Sequence, residues 1–343
     1  MRIFIGQLML WVFFLYSAIP TSSYAANQIA AQYQANLELE PCTMMKMAAD
    51  FLLSSQKKGL NGTLGWSWEL KDDRVAHNTA GLISNALLDA FVVSGDQRYI
   101  DAAQSYAKGL LRQKEHWSPY NLPYKADLEL LARMFEVTKE ASYQKAAREG
   151  FSVILERSSN PKSEVQRIAQ GRRGSIGLLG FDVALTIRAA MVLGESGYAY
   201  GLADEVISRI PRWYRPQKDR RFSLVSAAVL VLALQQLDAG HYRKVINGFQ
   251  DDLIQYQEKN GAWLFNETQP SAYAVLALIQ DPSARARRAL EKGMYWIQST
   301  MLKPGAYASY NDYMPEPFVG AVLPQVHAEA LLVLSQMCRQ VQR

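Results

Sequence analysis

From residue 44 onward, apolar side chains recur every three to four positions, and the pattern breaks at short intervals on glycine, proline and asparagine. That period predicts helices over 44–57, 78–93, 97–113, 124–138, 142–157 and 180–194. It continues over 198–210, 222–237, 241–258, 270–280, 283–300 and 324–340, about twelve helices with no alternating strand between them. Turn signals separate them at Ser94-Gly95-Asp96, Gly171 to Gly174, Asn260-Gly261 and Lys303-Pro304-Gly305.

Two kinds of helix alternate. Segments around Ala80–Phe91, Phe181–Leu193, Leu224–Leu237 and Ala328–Leu334 are apolar almost all round, as buried helices must be. Ile100–Arg112, Tyr143–Glu156 and Ala284–Thr300 instead carry one apolar stripe and a charged face, the pattern of a helix facing water. One outer and one inner helix in each repeat of roughly 45 to 50 residues signals an array or a closed ring. An open array needs polar caps at its ends, whereas the last segment, Leu323–Cys338, is apolar. Closure is therefore expected.

The start of the chain differs from the rest. Arg2, an apolar run from Ile3 to Leu15 and then Ser23-Tyr24-Ala25 form a signal peptide over residues 1–25, with cleavage expected after Ala25. Residues 26–343 are expected to form one toroid domain, with no membrane span after cleavage, secreted or periplasmic and monomeric. Removing one arginine takes the formal charge from 37 − 32 = +5 to 36 − 32 = +4, a mildly basic balance. The two cysteines, Cys42 and Cys338, lie near opposite ends of the mature chain. In an oxidising compartment they are expected to pair and tie the first element to the last.

Three stretches resemble the QW-type repeat of squalene-cyclase-like proteins and protein prenyltransferases. Lys292-Gly293-Met294-Tyr295-Trp296-Ile297 matches its start and Gly305-Ala306-Tyr307 its end, with Tyr for Trp and Met301 in place of the Gln. Gln257 to Gly261-Ala262-Trp263 matches the second half, and Phe51-Leu52 with Gln56 the middle, before Gly65-Trp66. The resemblance implies an all-α (α/α)6 toroid in which glycine ends the outer helix, an aromatic packs back over its last turn and Gln bonds exposed backbone. The cyclase signature Asp-x-Asp-Asp is absent, the nearest acids being Asp72-Asp73. The prenyltransferase zinc set has no suitable cysteine.

A looser resemblance, over His77 to Leu82 and Ser94 to Tyr99, is to toroidal polysaccharide lyases and glycoside hydrolases. In such toroids the loops leading into the inner helices line one mouth of the ring, and here they are rich in aromatic and polar residues. Rings that stack on sugar faces beside groups that bond hydroxyls suit a polysaccharide. Trp68, Tyr124, Arg173, Arg221, Tyr313 and His327 are the candidate substrate-binding residues, with Trp117 and Tyr120 in the same kind of loop. His77, Asn78, Tyr310 and Asp312 are the candidate catalytic ones, since His77-Asn78 with nearby Arg and Tyr resembles the set of some toroidal lyases. A lyase must neutralise a uronate carboxylate, remove the proton beside it and protonate the leaving oxygen.

Other readings stay open. Asp72, Asp73, Asp312 and Glu316 offer carboxylates for an inverting glycoside hydrolase. A non-catalytic scaffold binding a glycan or protein, and a terpenoid-cyclase-like enzyme with an apolar cavity, are the further alternatives. The basic run from Arg212 to Arg221 suits an anionic polymer, and the export address argues against nucleic acid. No spacing of His and Cys points to a metal, and no cofactor is expected.

Overall fold

The computed structural model describes residues 38–59, 62–172, 174–264, 266–302, 305–309 and 321–342. Among these are fourteen α-helices: α1 (Pro41–Ser54), α2 (His77–Ser94), α3 (Gln97–Gln113), α4 (Lys125–Thr138), α5 (Ala141–Arg157), α6 (Pro161–Gly171) and α7 (Leu179–Val192). They continue as α8 (Ser196–Ser208), α9 (Ile210–Trp213), α10 (Arg220–Asp238), α11 (Arg243–Gln255), α12 (Thr268–Leu278), α13 (Ala284–Ser299) and α14 (Pro324–Val341). A two-stranded ribbon, β1 (Lys57–Lys58) with β2 (Leu64–Gly65), lies in the first mouth loop. Each expected helix is present. Two α-helices are additional, α6 and the single turn α9, and so is the short ribbon.

Six helices make the inner ring. In order α2, α4, α7, α10, α12 and α14 each pack on the next, and α14 packs back on α2. Each inner helix also packs on the outer helix that follows it: α3, α5, α8, α11 and α13 in turn, and for α14 the first helix, α1. The ring is thus closed, an all-α (α/α)6 toroid. Apolar composition on all sides fits the inner position: in α10, Ser223 to Val231 are all buried. That helix is long and apolar enough to cross a membrane by composition, but here it is one wall of the ring. Closure is covalent as well, because Cys42 at the start of α1 is bonded to Cys338 near the end of α14 across 296 residues.

The repeat motif supplies the local joints. The indoles of Trp66, Trp213 and Trp263 each donate to a carbonyl near the end of the preceding outer helix, those of Leu52 (2.8 Å), Val206 (3.1 Å) and Leu253 (2.8 Å). Gly261 and Gly305 hold φ of +96° and +116°, which favours glycine. A Cβ at Gly261 would fall 2.2 Å from the Lys292 carbonyl oxygen on α13, and one at Gly305 2.7 Å from that of Met47 on α1. The sixth hairpin therefore meets the first as the fifth meets the sixth.

Candidate functional site

The inner helices begin at one mouth of the toroid, so the loops before them gather there. His77 and Asn78 open α2. Their side chains, together with Arg173, Tyr310, Asp312, Tyr313 and Glu316, lie outside the described residues. Trp68 is in the first mouth loop and partly exposed. Arg221, in the first turn of α10, reaches both carboxylate oxygens of buried Glu267 through Nε, at 2.7 and 3.0 Å. Arg172 grips Asp182 with two nitrogens, Nε donating to Oδ2 at 2.6 Å and Nη2 to Oδ1 at 3.0 Å. The first pair joins neighbouring hairpins, and the second ties the end of α6 to the start of α7.

His327 sits elsewhere than a mouth residue would. It is fully buried, with Nδ1 accepting from the Tyr307 backbone N–H at 3.1 Å and Nε2 2.8 Å from the Ala48 carbonyl. Its pattern position on α14 could not reveal this, because an inner helix buries every side and the ring nitrogens found backbone partners 20 and 279 residues away. Burial holds the imidazole neutral, lowering its pKa to about 4. It is a joint between hairpins, and substrate cannot touch it there.

Inside the ring, polar groups fill the space between inner helices. Arg188 on α7 pairs with Glu129 on α4. Glu329 on α14 accepts from Gln269 at 2.9 Å and Gln325 at 3.2 Å on the same oxygen. Phe181 on α7 meets Tyr273 on α12 edge to face, centroids 6.0 Å apart, spanning two helices that are not neighbours in the ring. Burial lifts the Glu329 carboxyl to about 7, against the hydrogen bonds that favour its charge. Ionic and amide groups thus lie among largely apolar inner helices, and the Phe181–Tyr273 pair reaches across the ring.

A cleft of about 700 Å³ is formed by the loop between α3 and α4, the end of α5 and one side of α6. Trp117, Tyr120 and Tyr124 supply rings; Lys125, Arg157 and Arg167 supply positive charge; His116 and Asn121 complete the polar wall. A turn at Lys114–His116 and a hydrogen bond from the Asn121 amide to the His116 carbonyl (2.9 Å) shape the loop. Gly150 on α5 permits its approach, since a Cβ there would lie 3.0 Å from the Trp117 ring.

Electrostatics favour an anion in this cleft. Burial lifts Asp127 to about 8, so it is largely uncharged at neutral pH, with Tyr106 donating to it at 3.1 Å. Burial pulls the Lys125 ammonium below its ordinary value while Glu164 opposes it. Burial works to raise Glu164, but the Arg167 guanidinium, the Ser158 hydroxyl and the Lys125 charge together outweigh it and hold the carboxyl below its ordinary value. Burial also holds the Tyr124 phenol above its ordinary value, reinforced by Asp182.

Of the residues singled out from the sequence, Trp117, Tyr120 and Tyr124 come together here, and Trp68 and Arg221 do not line the cleft. His116, Lys125, Arg157 and Arg167 escaped sequence reasoning. His116 adjoins an aromatic-rich loop, a signal that could have found it. The three cations come from separate helices, and nothing in their spacing joins them.

No family model matches the chain, and no curated protein matches it in sequence. Solved structures do resemble it. A polysaccharide lyase aligns with TM-score 0.61 and 11% identity over 90% of this chain and 98% of its own. An unsaturated glucuronyl hydrolase specific for heparin aligns with TM-score 0.60 and 10% identity, covering 88% and 96%. The type II terpene cyclase MstE from Scytonema aligns with TM-score 0.53 and 12% identity, covering 87% and 98%. At such identities the likeness is one of fold.

Proposed function

We propose that this protein is an exported carbohydrate-active toroid that takes an acidic polysaccharide into the cleft beside α4 and cleaves it by β-elimination. The observation that carries the reading is the convergence of three aromatic rings and three cationic side chains on one cleft of about 700 Å³. Rings stack on the apolar faces of pyranoses, and the cations match a uronate carboxylate. Residues 1–25 as a signal peptide and the Cys42–Cys338 bridge agree with export to an oxidising compartment.

In that reading Lys125, Arg157 and Arg167 neutralise the carboxylate, which acidifies the proton on the adjacent carbon. His116 takes that proton, the electron pair forms the new carbon–carbon double bond, and the bond to the glycosidic oxygen breaks. Tyr124, whose phenol is held protonated, gives its proton to the leaving oxygen. Among the structural neighbours one is named a polysaccharide lyase and another a glucuronyl hydrolase specific for heparin, and this reading is of the same general kind.

A second reading is hydrolysis, the activity named for other proteins of this fold, an alpha-1,6-mannanase and the glucuronyl hydrolase. Incubation with uronate polymers, read by ultraviolet absorbance, and with neutral glycans, read by reducing ends, separates the two. Elimination gives new absorbance with new ends. New ends without absorbance replace it by hydrolysis, and binding without either leaves a scaffold.

A further inference from the structure

Helix α6 stands outside the ring of six hairpins, and its two sides border different hollows. Asn160 caps it, accepting from the Ser163 N–H at 2.9 Å, and Glu164, Val165 and Ile168 anchor it in the protein. Arg167 faces the cleft already described. Gln166, Ala169 and Gln170 face a second, more open hollow of about 400 Å³, whose far wall is Arg209 and Arg212. Arg209 is held by Glu205, Nε to Oε1 at 2.7 Å, while Arg212 is exposed. Beyond it the chain continues through Arg215 and Lys218, both exposed.

We infer that these two hollows are consecutive parts of one binding track, and that an acidic polysaccharide longer than the cleft crosses α6 to lie against Arg212, Arg215 and Lys218. This rests on the cleft reading above and extends it from a saccharide to a polymer. The order of groups along the track is Lys125, Arg157 and Arg167, then the Gln166 and Gln170 amides, then the basic loop. Cations bind carboxylates while amides bond the intervening hydroxyls. The residues lining the second hollow include no acid. An anionic chain is the ligand such a surface selects, because each further sugar brings its charge beside another cation.

The test compares polymer with fragment. Polygalacturonate, alginate, hyaluronan and heparin, each beside its own disaccharide, are titrated against the full-length mature protein at low and high salt. The pair that wild type binds is then titrated against Arg212→Glu/Lys218→Glu and, as control, Arg243→Glu on another face. We expect polymer to bind more tightly than disaccharide and with the steeper salt dependence. In the double variant the polymer-to-disaccharide affinity ratio should fall about tenfold, the scale of one lost charge-assisted hydrogen bond. Arg243→Glu should leave that ratio unchanged.

Equal wild-type affinity for polymer and disaccharide overturns the track, and so does an unchanged ratio in the double variant; both leave the cleft reading standing. Failure of every polymer and disaccharide to bind wild type removes the cleft reading and the track together. A double variant with a lowered melting temperature is replaced by Arg212→Gln, for which a smaller fall in the same ratio is expected and no fall overturns the proposal.

Discussion

The side-chain amide of Gln257 donates to the carbonyl of Ala289 on the next outer helix, 2.7 Å away, as well as to Gly261 in its own turn at 3.0 Å. Gln56 reaches Ala102 on α3 in the same way at 3.2 Å. In the sixth hairpin the position matched to Gln is Met301, and Gln298 takes over by reaching the Leu39 carbonyl at 3.0 Å. The glutamine therefore links successive outer helices, in addition to holding its own turn. The repeat motif is a joint of the ring.

Trp263→Ala should lower stability by about 3–5 kcal/mol, the cost of truncating a buried aromatic. Trp263→Phe should cost less, about 1–3 kcal/mol, because it loses mainly the indole bond to Leu253 and strands a carbonyl. Denaturant titration of both variants gives the order. An unchanged midpoint for Trp263→Ala together with lost saccharide binding would assign the residue to the site instead.

Replacing both cysteines with serine releases a loop spanning 296 residues. The expected loss is about 2–5 kcal/mol, most of it through a freer unfolded chain. Differential scanning calorimetry of wild type and the double variant measures it, and peptide mapping without reductant should recover Cys42 joined to Cys338.

Stability should respond to pH in opposite directions at two buried groups of α14. The native His327 pKa of about 4 lies below the ordinary 6.5, so the unfolded chain binds the proton first as pH falls from 6.5 towards 4, and stability falls with it. Glu329 is raised from 4.5 to about 7, so its contribution is full below 4.5 and is lost as pH rises to about 7. Glu329→Gln, which mimics the protonated acid, should lessen the second dependence and leave the first, the remainder of the fall with rising pH coming from Asp127, raised from 3.8 to about 8. Melting temperatures from pH 4 to 8 read both, and an unaltered profile in Glu329→Gln would place its proton elsewhere.

At the cleft, His116→Ala and Tyr124→Phe should each slow elimination on the order of a hundredfold or more with little change in melting temperature. Lys125→Met should lower kcat as well as raise KM for a uronate polymer, since its charge both holds the carboxylate and acidifies the neighbouring proton. Steady-state rates with each variant decide the roles, and a wild-type rate for His116→Ala would remove it as the base.

Periodicity alone located the twelve helices of the ring, because a side-chain period of 3.6 is set by which face is buried, and burial on every side marks the inner helices. Composition at the ends also anticipated the Cys42–Cys338 pair. It passed over α6, although Asn160-Pro161 and Gly171 carry its start and stop, because Val165 and Ile168 form too thin an apolar stripe to register. The site was legible only in part. Trp117, Tyr120 and Tyr124 share a loop and could be read together, but Lys125, Arg157 and Arg167 meet through the packing of α4, α5 and α6, and sequence distance carries no record of that meeting. His327 shows the converse: its residue type suggested chemistry at the mouth, and only tertiary structure set both ring nitrogens against backbone groups from remote segments. Local pattern determines which elements form and which faces they bury, whereas the neighbours of a polar side chain depend on how those elements close into a ring.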